Sequence, residues 1–84
     1  MADRVYLLQL DLADRLDKHY ADAPMTQRLA EAQALIVSEA AYGPGTYSEQ
    51  VEHHLVAGLP NIEDGDTRGE YAARLRLIAQ GVTP

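Results

Sequence analysis

Ala41-Tyr42-Gly43-Pro44-Gly45-Thr46-Tyr47-Ser48-Glu49-Gln50 is the stretch that decides the fold. Its first half stops one helix and its second half starts another. Glycine just past a helix end accepts the left-handed backbone, and a proline after it blocks resumption. Thr46-Tyr47-Ser48-Glu49 then reads as a capping box. In such a box the threonine hydroxyl accepts from the backbone at the glutamate position, and the glutamate reaches back.

The same punctuation recurs outward in both directions. Gly58-Leu59-Pro60 ends the next segment, and Gly81 with Pro84 ends the last. Thr67-Arg68-Gly69-Glu70 reads as a second capping box. Asp22 followed by Pro24 marks the start of another helix, and Asp3 is a candidate cap for the first. These signals predict helices near 3–20, 24–42, 47–57 and 68–80, an all-α, compact four-helix single domain over residues 1–84. Leu8, Leu10 and Leu12 alternate as a strand would, but Val5, Leu8, Leu12 and Leu16 fit helical spacing over a longer window.

Each helix then offers an apolar stripe. The first gives Val5, Leu8, Leu12 and Leu16, and the second Met25, Leu29, Ala32, Ile36 and Ala40. The third gives Tyr47, Val51 and Leu55, and the fourth Tyr71, Leu75, Ile78 and Ala79. The alanine-rich second helix admits close neighbours and is expected at the centre. The chain has no cysteine, so it folds without disulfides or thiolate metal sites, as suits a reducing compartment. It also lacks Trp and Phe, which leaves five tyrosines as its only aromatic side chains.

Thirteen acidic residues stand against seven basic ones, a formal charge of -6. Eleven of the acids and only four of the bases lie between Met1 and Gly65. Phosphate backbones and anionic membranes would be repelled, so direct nucleic-acid or membrane binding is disfavoured and a basic partner favoured. No run approaches the roughly 18 apolar residues of a membrane span. The apolar run Val5 to Leu8 follows Asp3 and is broken by Gln9 and Asp11, unlike a signal peptide. A cytoplasmic protein is the expectation.

Chemistry is sparsely encoded. His53 follows Glu49 by one turn, but two ligands do not make a metal site, and His19 would have to arrive from another helix. His53 reads as solvent-facing and His54 as the edge of an apolar stripe. Glu63, Asp64 and Asp66 around Gly65 resemble a calcium loop only until the register is counted. From Asp64, the fifth position is Arg68 and the twelfth is Leu75, where oxygen ligands are required. The loop reads instead as a solvated turn that sets negative charge at a helix start. Ser38 and Ser48 sit in no nucleophile turn, and Lys18 is the sole lysine, with no phosphate-binding glycine loop before it. Acyl and peptidyl carrier domains are also small, acidic and four-helical, but they need a serine opening the second helix. Asp22-Ala23-Pro24-Met25-Thr26 has none. The expectation is a protein that is not an enzyme and carries no cofactor or metal.

One surface is left over. Opposite the core stripe of the first helix run Asp3, Leu7, Leu10, Asp14 and Asp17, flanked by Tyr6. Their steps of four and three place them on one face. Two leucines and a tyrosine among acids make an apolar spot with a negative rim, suited to a partner protein with a basic surface. The sequence therefore points to a small acidic binding protein that occupies and blocks such a surface. Nucleic-acid-handling complexes have them, so a nuclease inhibitor, an antitoxin or a phage-type anti-defence protein fits. The alternative is a structural or assembly protein whose first helix forms a homodimer or larger homo-oligomer.

Overall fold

The computed structural model describes residues 2–81, with side chains from Val5 onward. It holds four helices: α1 (Ala2–Lys18), α2 (Gln27–Tyr42), α3 (Thr46–Ala57) and α4 (Arg68–Ala79). Among the described residues there is no strand, only one isolated bridge between Pro24 and Thr67.

That bridge explains why α2 starts later than its sequence signals suggest. Proline disfavours the helical region for the residue before it, and Ala23 lies in a bend outside the helix. The segment around Pro24 pairs with the chain entering α4: Met25 N–H donates to Asp66 O, and Arg68 N–H donates to Ala23 O, both at 2.9 Å. Thr26, not Asp22, then caps α2, its hydroxyl accepting from Leu29 N–H at 3.1 Å. Gly69 allows the tight approach, since a Cβ there would stand 3.3 Å from Ala21.

The two expected capping boxes have different fates. Thr67 and Glu70 form theirs in both directions, at 3.1 and 3.0 Å. Thr46 does not. Gly45 takes the cap position with φ 141°, a conformation favouring glycine, and Thr46 becomes the first helical residue. Ser48 Oγ instead donates to Gly45 O at 2.9 Å.

Leu8, Leu12 and Leu16 of α1 are buried as expected, joined by Gln9 and Ala13. Leu55, Tyr71, Leu75 and Ala79 complete the core from α3 and α4, with Val5 and Val51 packed at its edge and Ile78 half-buried. Tyr47 is exposed rather than buried. It lies in the first turn of α3 and meets Tyr42 edge-on, with ring centroids 5.0 Å apart.

The second helix departs most from expectation. It buries Ala30, Ala34, Val37 and Ser38, while Ala32, Ile36 and Ala40 face solvent. The expected stripe kept Met25, which is buried ahead of the helix, and Leu29, which is half-buried. The Ser38 hydroxyl is fully buried and has no hydrogen-bond partner among the described residues. Nor is α2 the central element: α1 is, packing against α4, α2 and α3. The reason lies in the width of the apolar arc. Gln9 and Ala13 broaden the buried face of α1 enough for three neighbours, whereas the narrow Ala-Ala-Val face of α2 serves α1 and α3.

Tyr20, just past α1, has φ 61° and a side chain 81% exposed. The left-handed conformation costs an ordinary side chain about 1 kcal/mol, and this one recovers little by packing. Tyr20→Gly should therefore raise the unfolding free energy by about 1 kcal/mol and the thermal midpoint by roughly 4–8 °C. A differential scan of the two proteins checks it.

The loop before α4 is fastened by charge. Arg74 donates to both oxygens of Asp66, at 2.7 and 2.8 Å, and to Asn61 O at 2.8 Å. Glu63 N–H donates to the same carboxylate at 2.8 Å. The Arg74 hydrogen bond first, then that backbone N–H, hold the Asp66 carboxyl below its ordinary value of 3.8. A lowered carboxyl contributes stability above its unfolded pKa and loses it as pH falls through the folded one. Stability should thus decline below about pH 4, and Asp66→Asn should flatten that decline in urea titrations repeated across acid pH.

Candidate protein-binding surfaces

The outer face of α1 has the geometry its spacing implies. Leu7 is 57% exposed, Tyr6 is exposed beside it, and Leu10 is half-buried. The Asp3 side chain lies outside the described residues. Lower on the same face, α4 closes over the helix. Arg76 binds Asp14 at 3.0 Å through one guanidinium nitrogen and Asp17 through the other. Those hydrogen bonds, Asp14's foremost, hold the guanidinium above its ordinary pKa. One cation thus serves both aspartates, and the lower half of this face keeps a single net negative charge. Leu7 and Tyr6 remain as an apolar spot.

Unpaired acidity gathers on α2 and α3, where four glutamates stand against one arginine, Arg28. Among the described residues, the ion pairs use Asp14, Asp17 and Asp66 but none of these glutamates. Glu31, Leu35 and Glu39 follow one another at steps of four, on one line of α2. Leu35 is 37% exposed, and both flanking glutamates face solvent. Across from Glu31, α3 presents Glu52, and the two line a cleft of about 280 Å³ with His53 and Val56. Glu49 lies one turn before Glu52 and is exposed. Glu31 accepts from Gln27 Nε2 at 3.1 Å, which leaves its second oxygen open to a partner.

This is an exposed leucine flanked by carboxylates, the arrangement that the sequence suggested for α1. The signal was present in the string Glu31-x-x-x-Leu35-x-x-x-Glu39. The neighbouring Ala32–Ile36–Ala40 line has the same helical spacing and competes with it for the exposed face.

The histidines His19, His53 and His54 are all exposed. Among the described residues, no three His, Cys, Asp or Glu side chains converge on a position that could hold a metal ion. Among the described residues, no helix is long and apolar enough to cross a membrane. Comparison with protein-family models, with curated proteins and with solved structures finds no match in any of the three.

Proposed function

We propose that this chain acts by binding, and that its partner is a protein with a basic surface, which docks on the outer face of α2 and α3 and is blocked there. One observation carries the reading: Leu35 stands exposed between Glu31 and Glu39, with Glu52 across the cleft, and none of the three glutamates has a salt bridge within the described chain. An apolar anchor inside a ring of unpaired carboxylates gives a basic partner both contact area and charge complementarity. Basic surfaces of this kind belong to proteins that handle nucleic acid. Inhibition by occupancy, as by a nuclease inhibitor, an antitoxin or a phage-type anti-defence protein, is the mode that fits an 84-residue chain with a charge of -6.

The face of α1 bearing Asp3, Tyr6, Leu7, Leu10, Asp14 and Asp17 is the second reading, favoured by the exposure of Leu7. Immobilised chain separates the two. Proteins retained at low salt by the wild type should be lost with Leu35→Arg and kept with Leu7→Asp. The reverse pattern moves the contact to α1, and a wild type that retains nothing at low salt removes the basis of the proposal.

A further inference from the structure

Between α1 and α2 lies a groove of about 360 Å³. Its floor includes Ile36, Val37 and Ala40, and α1 supplies its charged rim. Ile36 is 40% exposed and Ala40 is open to solvent, so this apolar floor is not covered by the chain itself. The rim is dipolar. Asp11 and Asp14 stand toward one end, and Arg15, Lys18 and His19 toward the other.

We infer that a second copy of this chain covers the groove, forming a two-fold dimer in which the two α1 helices run antiparallel. The argument begins from charge. Each copy carries -6, so two copies repel wherever acidic faces meet. The groove is a face whose charges balance. Two acids, Asp11 and Asp14, stand there with two bases, Arg15 and Lys18, and Asp14 is already engaged by Arg76.

Symmetry supplies the second step. A two-fold interface sets a patch against itself, so residue i meets j while j meets i. With the axis between Asp14 and Arg15, Asp11 of each copy falls opposite Lys18 of the other. Asp14 likewise falls opposite Arg15. Both pairings join opposite charges, and the two Asp11–Lys18 pairs stand at either end of the two Asp14–Arg15 pairs. Asp11 and Lys18 are about 10 Å apart along the helix, at 1.5 Å per residue, and the exposed Ile36 of α2 lines the same groove.

This interface is separate from the partner-binding face. Ile36 and Leu35 are successive residues, about 100° apart around the helix, and only Ile36 lines the groove. A dimer would therefore present two free α2–α3 faces, and loss of one activity leaves the other measurable.

Sedimentation velocity on the purified full chain, from micromolar to millimolar concentration, tests the inference without any partner. The wild type should sediment as a dimer at the upper end, and Ile36→Glu as a monomer with unchanged helicity by circular dichroism. Asp11→Lys and Lys18→Asp should each raise the dimer dissociation constant about tenfold, because each reverses two rim pairs. The double reversal should restore it. A wild type that stays monomeric throughout, or a dimer indifferent to Ile36→Glu, overturns the inference. Should Ile36→Glu disturb the helices, the charge swap decides: failure of the double reversal to recover association overturns it equally. A monomeric chain that buries this groove only against a different protein also overturns it.

Discussion

Tyr71→Ala lowers the unfolding free energy by about 4 kcal/mol, within the range of aromatic truncations in packed cores. Tyr71 is 1% exposed and belongs to the same buried cluster as Leu12, Leu55 and Leu75. Its hydroxyl donates to Pro60 O at 2.7 Å, which ties the loop after α3 to α4. The guanidinium carbon of Arg74 lies 5.3 Å from the ring centroid, so the residue that grips Asp66 also rests on this ring. Truncation therefore opens a cavity and loosens the loop that carries the bridge to Pro24. A domain of this size has roughly 5–10 kcal/mol in total, so the variant should be close to unfolded at moderate temperature. Tyr71→Phe isolates the hydroxyl. It should cost about 1–2 kcal/mol, because the Pro60 carbonyl is left without its donor.

The same residue sets an alkaline limit. Burial pushes the Tyr71 phenol up to about 12, from an ordinary value of 10.0. A raised pKa contributes stability that is complete below the unfolded value and is lost as pH rises through the folded one. The wild type should lose stability between about pH 10 and 12, and Tyr71→Phe should lack that component. Denaturant melts followed by far-ultraviolet circular dichroism read all three effects.

The second large effect concerns binding. Reversing Glu31 and Glu52 together to lysine should weaken capture of a basic partner about 100-fold, equivalent to about 2.7 kcal/mol. Both carboxylates line one cleft, so the reversal replaces two attractions with two repulsions at a single point of contact. Stability should move by no more than about 0.5 kcal/mol, because neither glutamate is in an ion pair among the described residues and Glu31 is exposed. That separation makes the variant informative. Loss of capture with an unchanged melting curve locates the contact, whereas loss with unfolding does not. High salt should reduce the wild type toward the variant, since the screening length falls from about 10 Å at 0.1 M to about 3 Å at 1 M.

Where the sequence was legible, the information was local. The Thr67–Glu70 box lies within one turn, and side-chain chemistry alone specifies it. The leucine stripe of α1 was legible because leucine has a strong preference for burial and Val5, Leu8, Leu12 and Leu16 hold helical spacing free of acids, whereas the Leu7–Leu10 line runs into Asp14 and Asp17. The second helix defeated the same method. Its Ala30–Ala34–Val37 and Ala32–Ile36–Ala40 lines both satisfy helical spacing, and alanine contributes too little apolar area to choose between them. The choice is made by α1 and α3, which lie elsewhere in the chain. The start of α2 escapes local signals for a related reason: Pro24 serves a bridge to Thr67, forty-three residues away, rather than a helix.

The candidate site shows the same division. Exposure of Leu7 and Tyr6 followed from the helical phase of α1. Neutralisation of Asp14 by Arg76 spans 62 residues, so no local pattern announces it. Once α4 takes up those aspartates, the acids of α2 and α3 are left without ion pairs among the described residues, and the proposed docking face moves to them.

Nuclear magnetic resonance with a synthetic probe tests that placement most directly. The isotope-labelled chain would be titrated with an amphipathic helical peptide of leucine and arginine, at low and then at high salt. The account predicts saturable shifts at Glu31, Leu35, Glu39 and Glu52 that vanish at high salt and are absent from the Glu31→Lys/Glu52→Lys variant. Shifts confined to Tyr6, Leu7 and Leu10, or no saturable shift at low salt, would contradict it.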